Sequence, residues 1–305
     1  MSSAIEETGY ENLGGSLKKK PNNPRSILGM VMTGLATACM IITLIPLFAV
    51  LIYVAVQGLS RLNLDLFTKL PPPPGLSGGG IANAIIGTLI VVGMATAISV
   101  PIGVLAAVYL SEFSGGNQIA RWVRFATNVL SGVPSIIAGI FAYGLLVAPI
   151  LGSQEGLLGF SALAGGVALS VLMLPTIIRT TDEALQIVPQ DIRWAAFGIG
   201  AYNYQTVLKV VLPAALPAIL TGVTLAIARA AGETAPLIFT ALYSNFWPKG
   251  INEPIASLAV LVYNFAIVPF KPQQELAWAG SLILVFLVLV TSVLARWATR
   301  QKAYK

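Results

Sequence analysis

The chain has 305 residues, of which 56% are hydrophobic and only 10% charged. A soluble domain carries about a quarter charged residues, so lipid is the solvent for much of this surface. One cysteine, Cys39, and no histidine exclude an internal disulfide, a zinc site and any triad or general base that needs an imidazole. The net charge of +6 fits basic loops on the cytoplasmic side of a membrane better than a nucleic-acid partner.

Residues 1–25 are polar and end in KKKPNNPR, Lys18 to Arg25. They read as a disordered cytoplasmic tail with a basic anchor. The apolar run Ile27–Val56 is about twice the length of a signal-peptide core, and no small-residue cleavage site follows closely. Residues 26–57 are therefore predicted as a first transmembrane helix. Residues 58–80 form an extracytoplasmic loop that closes with PPPPGLSGGG, Pro71 to Gly80, a cluster of helix breakers. Five further apolar runs follow, at Ile81–Leu110, Phe125–Leu151, Leu157–Ile178, Pro213–Tyr243 and Ala277–Ala295. Each is long enough for the ~20 residues that cross a bilayer, and small residues within them permit close helix packing. A shorter run, Ile255–Phe270, lies between Pro254 and Pro269 and reads as a re-entrant or interfacial segment. Residues 296–305 form a basic tail.

Six spans put both termini on one side. Thirteen of the 18 Lys and Arg residues then fall on the side of the termini and four on the other, with Arg229 left within a span. The richer side is cytoplasmic. The expected fold class is all-α integral membrane, with a core over 81–295 and one long cytoplasmic loop, 179–212. That loop mixes small residues with Trp194, Phe197, Tyr202 and Tyr204. Exposed aromatics on such a loop suit a docking site for another protein; a loop packed back on its own bundle fits the composition equally.

The spacing within this loop carries a resemblance. Trp194, Ala195 and Ala196 are followed by Gly200, then Val210, then Leu212 and Pro213. This is similar to the EAA motif of bacterial ABC importer permeases, with Trp194 in place of the Glu and Val210 in place of the Ile. LPTIIRTTDEAL (Leu174–Leu185), ARAAGETAPLIFTA (Ala228–Ala241) and SGVPSIIAGIFAYG (Ser131–Gly144) resemble the phosphate branch, the PstA-type permeases, over about residues 81–295. The resemblance implies a six-helix type I importer permease in the bacterial inner membrane. It implies that residues 194–196, 200, 210, 212 and 213 form a coupling element seated on an ATPase. The partners implied are a PstB-like ATPase homodimer that uses ATP and Mg, a PstC-like second permease and an extracytoplasmic PstS-like phosphate-binding protein. No catalytic residue, cofactor or metal is expected in the chain itself. It has no Gly-rich phosphate cradle ending in Lys-Ser/Thr, and LSGG at Leu76–Gly79 reads as a flexible turn without such a partner.

Arg229 lies 16 residues past Pro213, roughly 24 Å along a helix, beyond the middle of a ~30 Å hydrocarbon core. An Arg at a helix centre costs around 2.5–3.5 kcal/mol on insertion scales, so it faces a cavity or a partner. Glu233, four residues on, shares its helix face. Within the resemblance, Arg229 is expected to attract phosphate in the translocation path, with Glu233 holding the guanidinium and limiting retention of the anion. The bland alternative is an ion pair that fixes helix packing. Arg179, followed by Asp182 and Glu183, is expected either to meet phosphate at the exit or to clamp the coupling loop; the bland alternative is an ordinary basic anchor at a span end. The rival readings are a self-sufficient secondary transporter or channel, a signalling scaffold, and an ABC importer for another oxyanion or solute.

Overall fold

The computed structural model describes residues 24–148 and 157–300. The predicted tail up to residue 23, the end of the third predicted span and residues 301–305 lie outside the described residues. Contact clustering divides the chain into two units, residues 1–53 and 54–305. In the first unit the described residues belong to α1, the helix Pro24–Leu59. Hydroxyls in it are satisfied within the helix: Thr33 Oγ1 donates to the Gly29 carbonyl and Thr37 Oγ1 to that of Thr33, both at 2.8 Å. A helix in lipid must satisfy its own polar groups in this way.

In the second unit, a short helix α2 (Leu64–Thr68) leads into α3 (Ala82–Val108), which ends in a π-helical turn, Tyr109–Phe113. Next come α4 (Gln118–Gly132), α5 (Ser135–Ala142) with a π turn Tyr143–Val147, and α6 (Ala162–Ile187). Two short helices follow, α7 (Gln190–Gly198) and α8 (Asn203–Thr206). A π turn, Val207–Val211, joins α8 to α9 (Leu212–Ala231), and α10 (Ala235–Thr240), α11 (Leu258–Ile267) and α12 (Lys271–Arg300) complete the chain. No strand occurs among the described residues. Among the described residues, five helices are long and apolar enough to cross a membrane, and six if the bent pair α4 and α5 makes one span.

Local chemistry sets the boundaries. Asn63, Asn117 and Ser161 cap α2, α4 and α6 by accepting the amides of Leu66, Ala120 and Ala164, the role in which short polar side chains outperform apolar ones. The predicted span Phe125–Leu151 is in fact broken, bending 108° between α4 and α5. Pro134 explains the break: it lacks an amide proton and drives Val133 to an extended backbone with ψ 126, as a residue before proline prefers. Pro213 stands in the first turn of α9, as expected, and a π turn joins that helix into a continuous helical run, Asn203–Ala231. The π turn just before α9 accommodates its ring and missing donor. That run then stops at Ala231 rather than continuing to Tyr243, because Gly232 closes it and α10 starts afresh.

The core is built around α6, which packs on α3, α4, α5, α9 and α10. On α3 the buried positions Gly87, Val91, Ala95, Ser99, Gly103 and Ala107 recur every four residues, one ridge along the helix. A Cβ on Gly103 would meet Ile177 of α6 at 2.7 Å. On α9 the same spacing recurs at Gly222, Ala226 and Ala230, all buried; small residues let backbones approach where lipid supplies no hydrophobic drive between helices. At the other end of α6, the amides of Ala162 and Leu163 donate to the carbonyls of Glu253 and Ile251 at 3.0 and 2.9 Å. The irregular segment 241–257 thereby satisfies the helix N-terminus and its own backbone.

Candidate functional site

Arg229 occupies the last turn of α9, the end of a helix whose dipole favours a cation. Its Nε lies 3.6 Å from Glu233 Oε1, with side-chain exposures of 60% for Arg229 and 15% for Glu233. The carboxylate is tucked in and the guanidinium faces out. The pair is not a helical i, i+4 contact as expected from the sequence: Glu233 comes after the helix has ended. The Gly232 and Glu233 amides donate to the carbonyls of Arg229 and Ala230 at 3.1 and 3.2 Å, and that turn brings the carboxylate back. Both side chains border a narrow niche walled by Leu172, Met173 and Thr176 of α6.

The same face of α6 continues to a second polar site. Leu172, Thr176, Arg179 and Glu183 follow at intervals of four, three and four residues, one stripe of a 3.6-residue helix. Arg179 Nε donates to Glu183 Oε1 at 3.0 Å. Together with Arg124, Thr127, Asn128 and Asp182 they line an open cavity of about 310 Å³. The sequence places Arg179 at a span end, yet α6 runs to Ile187, two turns further. Arg229 and Arg179 thus lie in two separate pockets along one helix face.

The predicted coupling residues lie on and after α7. Trp194 and Ala195 are exposed, Ala196 is buried, Val210 and Leu212 are half-buried and Pro213 is exposed. Gly200 has φ +88, the left-handed conformation that ends a helix at little cost only for glycine. Trp194 at 66% and Ile199 at 89% exposure, with Phe197, form an apolar ridge. The stacked rings of Tyr202 and Tyr204, 6.1 Å between centroids, extend it. The turn does not pack back on its bundle through these side chains.

Two further ion pairs escaped the sequence reading. Arg193 of α7 pairs with Glu112 in the π turn that ends α3, Nη2 to Oε1 2.8 Å, both side chains at 10% exposure or less. Arg124 of α4 pairs with Asp182 of α6 at 3.3 Å. The partners are separated by 81 and 58 residues, and no local pattern connects them.

Comparison with known proteins places this geometry in a family. The family described as "Binding-protein-dependent transport system inner membrane component" matches residues 99–303. A phosphate transport system permease protein PstA of Yersinia pestis is 40% identical over 262 residues, covering 86% of each chain. The protein of the same name from Haemophilus influenzae is 41% identical, over 87% of this chain and 92% of its own. Among solved structures, a chain of a bacterial alginate ABC transporter in complex with a periplasmic protein carrying an alginate pentasaccharide superposes with a TM-score of 0.67. That alignment has 13% identity and covers 94% of this chain and 99% of that one, a likeness of fold.

Proposed function

We propose a translocation mechanism from one premise: the chain belongs to the PstA permeases of the binding-protein-dependent transport family. It is a multi-pass membrane permease subunit of a bacterial phosphate ABC importer, in the inner membrane. Importer permeases of this kind work with ATPase and binding-protein partners. The finer assignments are ours. The ATPase is a PstB-like homodimer that consumes ATP and Mg. The second permease is PstC-like, the donor of phosphate is a PstS-like extracytoplasmic protein, and both termini are cytoplasmic. This chain hydrolyses nothing and carries no cofactor or metal of its own.

In this reading Arg229 is the anion station. A guanidinium presents planar paired donors that match phosphate oxygens, and its outward attitude at the broken end of α9 supports that role. Glu233 orients it and offsets its charge, so that the anion is held weakly enough to leave. Arg179 receives phosphate further along α6, beside the cavity it shares with Arg124. The ridge of Trp194, Phe197 and Ile199 docks on the ATPase. The observation that carries the reading is the exposed Arg229 guanidinium backed by an inward Glu233 at the head of a polar stripe on α6.

The test is radiolabelled phosphate uptake in cells lacking their own high-affinity system, with the cognate ATPase, partner permease and binding protein co-expressed. Arg229→Gln is expected to abolish uptake while the ATPase still co-purifies. Normal uptake by that variant removes Arg229 from the path. Uptake by the wild-type complex that sulfate competes away would point to another oxyanion as cargo.

A further inference from the structure

Arg193 makes four hydrogen bonds to two segments of chain. Its Nη2 and Nε donate to Glu112 Oε1 and Oε2 at 2.8 and 3.3 Å, a two-pronged contact with the π turn of α3. Its Nη1 donates to the Val188 carbonyl at 2.5 Å and Nη2 also to the Leu185 carbonyl at 2.9 Å, at the end of α6. Those carbonyls lie at a helix C-terminus, an end whose dipole favours a cation. Both side chains of the Arg193–Glu112 pair are at 10% exposure or less, whereas Arg124, Arg179 and Arg229 leave about half or more of theirs exposed.

A second arginine closes on the same junction. Arg124 Nη2 donates to the Leu110 carbonyl at 3.2 Å and to Asp182 Oδ1 at 3.4 Å. The π turn Tyr109–Phe113 is therefore gripped by an arginine from α4 and by one from α7, and each arginine also grips α6. π turns cluster at functional sites in helices. Here the turn meets α7 through Glu112 and borders the cavity of Arg179 through Leu110.

We infer that Arg193 and Glu112 are positioning residues that clasp α7 to the ends of α3 and α6, so that displacement of α7 by a docked ATPase moves both helices as one body. The inference rests on the reading of α7 as the ATPase-docking element. A bare stabilising role would use the same contacts, and its signature differs. A buried ion pair replaced on both sides by apolar residues of similar volume is often neutral or stabilising, whereas removal of one partner strands a charge. If the pair only stabilised the fold, the double variant would transport normally.

The experiment compares wild type with Glu112→Met/Arg193→Met in the full reconstituted complex. It measures ATP hydrolysis, phosphate uptake and ATP-dependent hydrogen exchange across residues 105–113. The clasp predicts an assembled, ATP-hydrolysing complex whose phosphate uptake per ATP falls about tenfold, within the range by which a coupling link is weakened. It also predicts that the ATP-dependent change in exchange at residues 105–113, present in wild type, disappears. Wild-type uptake per ATP, or an unchanged exchange response, overturns it. If the double variant does not assemble, Arg193→Lys decides: it keeps the charge and loses the planar fork. Reduced uptake per ATP with normal assembly supports the clasp, and a wild-type ratio overturns it. The exchange response needs no cargo, so a wild-type complex that hydrolyses ATP without importing phosphate would sink the cargo assignment and leave the clasp to stand or fall on residues 105–113.

Discussion

Gly222 of α9 lies directly against Thr180 of α6, so close that a Cβ on the glycine would overlap the threonine hydroxyl. The contact fixes the antiparallel register of the two helices, bringing Ala226, Arg229 and Ala230 opposite Leu172, Met173 and Thr176. The niche around Arg229 depends on that register.

Gly222→Val should therefore destabilise the second unit by about 1–3 kcal/mol, the usual cost of overpacking, and shift Arg229 from its niche. Gly93 of α3 has nothing within 4 Å of its missing Cβ. Gly93→Ala should be neutral or stabilise by up to about 1 kcal/mol through helix propensity. Thermal unfolding of the detergent-solubilised complex compares the two; equal midpoints would show that the close approach is not what holds α9.

Glu233→Gln keeps the shape of the side chain and removes its charge. With the carboxylate gone, Arg229 should hold phosphate longer. Uptake kinetics should show the half-saturating concentration and the maximal rate falling together, by about tenfold, a change of ~1.4 kcal/mol in anion affinity. A raised half-saturating concentration would mean that Glu233 helps recruit the anion rather than release it.

Trp194→Ala removes the largest exposed side chain on α7. A central aromatic anchor is worth at least about 2 kcal/mol at an interface, so ATPase binding should weaken about thirtyfold. Membrane insertion should be unaffected. Titration of the purified ATPase onto the permease in nanodiscs measures this, and unchanged affinity would move the docking surface elsewhere.

Leu242 has φ +58, directly after α10, where its amide donates to the Leu237 carbonyl at 3.0 Å. This is the position at which helices commonly end in a left-handed glycine. Leu242→Gly should raise stability by roughly 1 kcal/mol by relieving the Cβ clash, and Leu242→Val should lower it. The order of the unfolding midpoints decides, and Val at or above Leu would contradict the strain.

The apolar runs and the spacing around Trp194 to Pro213 were legible because both are local. The length of a run sets whether it crosses lipid, and the ordered glycine and proline set where a loop turns. The ends of helices were less legible. Pro134 and Gly232 are small perturbations inside long apolar stretches, and hydropathy averages over them. Arg179 and Arg229 stand out in sequence because charge is rare within spans. Arg193 does not: it reads as one more basic residue on a cytoplasmic loop. Its burial depends on Glu112, far away in sequence and at the end of another helix, and only the packing of α3 against α6 brings the two together. Arg124 is hidden for the same reason.

The polar stripe on α6 has an electrostatic consequence. From Thr176, in the wall of the Arg229 niche, to Arg179 is three residues, a rise of about 4.5 Å. The screening length at physiological ionic strength is about 8 Å. On the proposed path, an anion leaving the Arg229 niche would come within one screening length of the Arg179 position, measured along the α6 axis.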